Sequence, residues 1–129
     1  MAVYGIGAFY DGEYDVSGDF ITNNIVGVGW DNNDAPELHH YLTSMKVGDV
    51  VYIKAAFKGT DITVKGIGII TDNTIIHNHQ FASIARNIKW LSTQKFVIPQ
   101  LREKNNVRRN TIYEEFHPQV LREIINRIG

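Results

Sequence analysis

Apolar residues in this chain fall into short runs rich in Val, Ile and aromatics, punctuated by Gly, Asn, Asp and Pro. That is the pattern of a strand-rich protein. The rest is arranged around residues 25–30 (I-V-G-V-G-W), where Ile25, Val26 and Val28 predict a buried strand. Gly27 and Gly29 inside it leave room for a bulge or a closely approaching group. Trp30 stands at the strand's exit, where a large aromatic either lines a pocket or packs as core. Residues 3–9 (V-Y-G-I-G-A-F) read as a second glycine-spaced strand. The turn signal Val47, Gly48, Asp49 introduces a strand over residues 49–57, with Lys54 expected at the same rim as Trp30. A hairpin-type connection at residues 58–61 leads into a strand over residues 62–71. Gly66 and Gly68 are expected to bend that strand, as closure of a small barrel requires. Residues 72–78 read as a turn and a further short strand, and residues 85–91 (A-R-N-I-K-W-L) alternate polar and apolar as a strand does.

Helical signals lie nearer the two ends. Asp15 or Ser17 caps a short helix running to Asn23, and Pro36 opens another over residues 36–45. Residues 99–104 form a short helix broken by Asn105 and Asn106, whereas residues 111–116 carry no clear period. Pro118 starts a closing amphipathic helix with Val120, Leu121, Ile124, Ile125 and Ile128 along one side. Without regular βαβ alternation, these elements predict one α+β domain over residues 1–129, built on a strongly bent sheet.

Composition adds limits. Hydrophobic residues make up 43% and charged residues 21%, as in ordinary globular proteins. No apolar run reaches the length of a membrane span and no leader pattern opens the chain, so a cytoplasmic protein with no membrane partner is expected. The absence of Cys excludes disulfides, thiolate metal sites and a cysteine nucleophile. The net charge of −1 is unevenly spread: residues 1–84 hold four Lys and ten Asp or Glu, and residues 85–129 hold nine Lys or Arg and four Glu. The basic final third fits phosphate binding, or simply solvated helix faces.

Among chemistry-bearing residues, Arg108 and Arg109 ahead of Asn110 are the best phosphate contacts, with a salt bridge to Glu114 or Glu115 as the alternative. Lys89 and Arg86 would extend that basic surface beside Trp90. His77 and His79 alternate and would share a strand face, a metal-pair spacing, but no third ligand converges and surface histidines explain them more simply. Asp11, Glu13, Asp15 and Asp19 form an acidic cluster that loop and helix-capping roles account for without Mg²⁺. No cofactor motif, Walker-type phosphate loop or catalytic constellation is visible, so a non-enzyme is expected.

The order D-F-I-T-N-N, G-V-G-W-D, M-K-V-G-D-V-V-Y-I-K, G-I-G-I-I, N-I-K-W-L over residues 3 to 91 resembles the EVE-like branch of the PUA superfamily, related to YTH-type and McrB-type modified-base readers. The resemblance implies a small, strongly bent PUA/EVE-like β-barrel flanked by helices, with an aromatic pocket that holds one base. By that resemblance Trp30 is a pocket wall, and Trp90 either a second wall or a residue packed beneath the barrel. Asp31 and Lys54 read polar edges of the base. Ser17 supplies a polar contact, and Phe9 and Tyr10 lie at the pocket rim. The function so implied is a module recognising a modified base in DNA or RNA, linked to restriction or defence and acting through a nuclease or NTPase partner. Two other functions compete. One is a protein that sequesters a free nucleotide; the other is a non-catalytic interaction subunit, possible as a homodimer through the closing helix.

Overall fold

The computed structural model describes residues 1–10, 14–55, 61–99 and 110–128. Its elements, in chain order, are β1 (Val3–Gly7), β2 (Phe9–Tyr10), β3 (Tyr14–Asp15), α1 (Ser17–Asn23), β4 (Ile25–Val28), α2 (Pro36–Ser44) and β5 (Val50–Lys54). They continue with β6 (Ile62–His79), β7 (Ala82–Ser92), β8 (Phe96–Ile98), β9 (Ile112–Glu114) and α3 (Pro118–Ile128). Seven strands form one mixed sheet in the order β4-β7-β6-β5-β1-β9, with β8 beside β6, while β2 and β3 form a separate ribbon. β1 and β5 run parallel and the other neighbours antiparallel.

Strand alternation divides the interior into two cores. In β5, Val51 and Ile53 face one core with Phe20 of α1 and Leu42 of α2, whereas Val50 and Tyr52 face the other with Val120 and Ile124 of α3. α1 and α2 therefore cover one sheet face and α3 the other, each by its apolar stripe. The turn before β5 is held by a nearly buried carboxylate. Asp49 accepts from the backbone N–H groups of Lys46 (2.8 Å) and Ala2 (3.1 Å), and Gly48 takes the positive φ of 90° that the turn needs. The M-K-V-G-D signal is thus a structural clamp between two strands.

Most expected elements lie where the pattern placed them, with three differences. The strand over residues 62–71 and the uncertain segment after it are one 18-residue strand, β6, with a register irregularity between Ile70 and Ile75. β8 and the β2–β3 ribbon had no sequence counterpart. The connection expected at residues 58–61 and the helix at 99–104 lie largely outside the described residues.

The expected PUA/EVE-like barrel is not formed. β4 and β9 are the two edges of an open sheet and do not pair. The physical reason is α2, which packs against both edge strands as well as β7, placing a helix where closure would need strand pairing. Gly66 and Gly68, read as barrel bends, make room for neighbours instead. A Cβ at Gly66 would lie 3.3 Å from the Trp90 ring, and one at Gly68 would lie 2.7 Å from Ile88 and from the Lys89 carbonyl. The fold is a small α+β domain on an open mixed sheet. Among the described residues, no helix is long and apolar enough to cross a membrane.

Candidate functional site

The end of β4 and the β6–β7 hairpin meet at one corner of the sheet. Val28 of β4 pairs with Ile84 of β7, and β6 passes to β7 through Gln80 and Phe81. The chain leaves β4 through Gly29 and Trp30, and Trp30 is 52% exposed. Its carbonyl is held from two elements: His39 of α2 donates from Nε2 at 2.6 Å, and the Ser83 hydroxyl of β7 donates as well. Ser83 Oγ and His39 Nε2 are themselves 3.3 Å apart. The Trp30 peptide is therefore fixed while its side chain remains half open to solvent.

Two open clefts flank this residue. The first, about 760 Å³, is lined by Tyr14, Asp15, Val16, Asp19 and Gly29 on one side and by residues 78–83 on the other. Tyr14, His79 and Phe81 are among the lining residues, and the rings of His79 and Phe81 are tilted together with centroids 5.9 Å apart. Tyr14 is 61% exposed. The second cleft, about 670 Å³, contains Asp31, His39, His40, Thr43 and His77 and shares Asn78 and Ser83 with the first. Gly29 belongs to one cleft and Asp31 to the other, which puts Trp30 between them.

Within the first cleft the two carboxylates differ. Asp15 accepts from Ser17 N (2.9 Å), Ser17 Oγ (2.6 Å) and Lys65 Nζ (2.5 Å). Burial works against its ionisation, but these hydrogen bonds and the ammonium charge outweigh it and lower its pKa to about 2. Asp19 is half-buried on α1, its main-chain carbonyl receives Asn23 Nδ2 (2.8 Å), and its carboxylate has no partner among the described residues. Opposite, His79 Nδ1 accepts the Phe81 N–H at 3.1 Å, so the neutral ring carries its proton on Nε2.

The residues singled out from the sequence do not converge. Trp30 and Asp31 lie at this corner; Asp31 Oδ1 accepts from Asp34 N (2.9 Å) in its own loop. Ser17 is buried at the start of α1 and bonded to Asp15. Lys54 is elsewhere, its ammonium 5.5 Å over the Tyr113 ring on the α3 face. Trp90 packs on the opposite face, over Gly66, and donates from Nε1 to the Phe20 carbonyl at 3.3 Å. Lys89 is exposed next to it.

Arg86 is corrected most sharply. It is 1% exposed and donates to the carbonyls of Leu42 (2.7 Å), Met45 (2.7 Å) and Asp72 (2.8 Å). Burial lowers its pKa from the ordinary value, with Asp72 and Asp49 opposing. It ties the end of α2 to the sheet and presents nothing to a phosphate. Phe9 and Tyr10 form β2, and their side chains, like Arg108 and Arg109 altogether, lie outside the described residues. His77 and His79 line different clefts, and Asn78 between them has φ 56°. Among the described residues no group of three potential ligands is placed to hold a metal ion.

Sequence reading missed Tyr14, Asn78, Gln80, Phe81 and Ser83: Gln80 and Phe81 form the β6–β7 turn, and the other three sit at the ends of β3, β6 and β7, where no hydrophobic period marks them. The dense polar and aromatic string H-N-H-Q-F between two long β-branched runs was the available signal.

The fold and corner define an α+β protein with a rigid, aromatic-edged cleft. The chain belongs to the family described as Domain of unknown function (DUF8426), whose model matches residues 31–115, from the loop before α2 through β9. That match covers the hairpin and the second cleft and leaves out Tyr14, Asp19 and Trp30. Comparison with curated proteins gave no match.

Proposed function

We propose that the protein is a non-catalytic nucleic-acid-binding module that takes one base into the cleft between Tyr14, α1 and the β6–β7 hairpin, beside Trp30. One observation carries this reading: an open cleft lined by Tyr14, His79 and Phe81, with Asn78 and Gln80 among the same lining residues. A base has a π-face to bury against such rings and an edge of donors and acceptors for the amides. Stacking of this kind contributes about 1–3 kcal/mol per base. A methyl group on the base would add about 0.8 kcal/mol of apolar burial, so a methylated base is the favoured target.

A second reading, sequestration of a free nucleoside or nucleotide, is favoured by the charge of the lining. Among the described lining residues there is no Lys or Arg, hence no cationic track for a strand.

Tryptophan fluorescence separates the two. In Trp90→Phe, which leaves Trp30 as the reporter, nucleosides and short unpaired oligonucleotides are expected to quench emission, with methylated bases bound more tightly. Affinity that climbs with strand length and falls with salt selects the polymer reader, and salt-tolerant, length-independent binding selects the sequestering protein. Trp30 emission unchanged by every ligand would count against both.

A further inference from the structure

Resting on the base-binding reading, we infer that the ligand presents an exocyclic amino group beside a ring acceptor, with Asp19 accepting from the amino group and His79 donating to the acceptor. Both residues line the same cleft, Asp19 from α1 and His79 from the β6–β7 hairpin. Among the described residues the Asp19 carboxylate has no partner, whereas that of Asp15 is engaged by Ser17 and Lys65. An ionised carboxylate only accepts, so the group that meets it must be a donor. His79 is fixed the other way round. Its Nδ1 takes the Phe81 N–H, which leaves Nε2–H as the neutral ring's donor to a ligand.

A carboxylate and an imidazole N–H together complement an amino group next to an acceptor ring nitrogen, as cytosine (N4 and N3), adenine (N6 and N1) and, on its sugar edge, guanine (N2 and N3) present. Uracil and thymine offer a carboxylate only the ring N3–H and place a carbonyl oxygen where the amino group stands in cytosine, a position from which a carboxylate is repelled. The lining has two carboxylates and, among its described residues, no cationic side chain, so the phosphates of the ligand stay outside in solvent.

The test titrates cytidine, adenosine, guanosine, uridine and thymidine into the wild-type protein, Asp19→Asn and His79→Phe, following binding by calorimetry. One correctly read pair of edges is expected to give amino-bearing nucleosides an advantage of about tenfold or more. Asp19→Asn should shrink that advantage severalfold while leaving uridine binding equal or stronger, and His79→Phe should keep the stacking surface but weaken all amino-bearing ligands. Among the described residues the Asp19 carboxylate has no hydrogen-bond or ion-pair partner, so the variant is expected to unfold near the wild-type midpoint. Nucleosides binding equally well, or a preference untouched by Asp19→Asn, would overturn this inference and leave the base-binding reading standing. Failure of every nucleoside to bind would overturn both.

Discussion

At the scale of single residues, the cleft depends on what each polar group has already given away. Asp15 and Asp19 are four positions apart and equally acidic in sequence, yet one is locked to Lys65 and Ser17 and the other is open. The locked one makes a pH prediction. Its pKa of about 2 lies below the ordinary carboxylate value of 3.8, so the folded state favours the ionised form. Its stabilisation is therefore complete above about pH 4 and is lost as pH falls through about 2. The pair is exposed, so solvent screening keeps the contribution below about 1 kcal/mol. The stability gap between wild type and Asp15→Asn, measured by urea unfolding, should be present at pH 6 and should close at pH 2; an unchanged gap would show that the ion pair contributes nothing. Trp30 is the residue that the sequence marked best: a tryptophan leaving a β-branched strand through a glycine, half exposed in the folded protein. Its fixation by His39 and Ser83 was not legible, because both reach it from elements 9 and 53 residues away.

At the scale of elements, α2 is positioned by a side chain on a strand. Arg86 binds two carbonyls at the end of α2 and one in β6, and so spans helix and sheet. Lysine is a point donor without the guanidinium fork and cannot reach three carbonyls in two directions. Arg86→Lys should therefore lower unfolding stability by about 2–4 kcal/mol, through buried carbonyls left unpaired. A change under about 0.5 kcal/mol would mean that α2 is seated by Leu42 alone. This role was partly visible in the alternation itself. Arg86 shares its parity with Ile84, Ile88 and Trp90, the core-facing side of β7, and should have been read as an inward arginine. That His77 and His79 line different clefts has a local reason. Strand parity holds only while the backbone stays extended, and Asn78 leaves it. Asn tolerates that conformation, but nothing in the string H-N-H demands it.

At the scale of the whole molecule, the strands and helices were legible because their periods are local, and the closure of the sheet was not. The same glycines serve a strand of a closed barrel or one in an open sheet that makes way for Trp90 and Ile88, and the choice was made by α2 packing against both edges. The open sheet also explains why the expected site residues scatter. Lys54 and Trp90 lie on opposite faces of the sheet, and Trp30 is at a corner, so a pocket drawing on all three is impossible on this topology. What remains is the corner itself, where a turn, a helix and a hairpin contribute side chains that are remote in sequence.

The measurement that tests this most directly is two-dimensional amide NMR of the labelled protein with increasing cytidine. Base binding at the corner predicts shifts clustered at Tyr14, Asp19, Gly29, Trp30 and residues 78–83, with Lys54, Tyr113 and α3 unmoved. Shifts centred on Lys54 and Tyr113, or none at saturating cytidine, would contradict it.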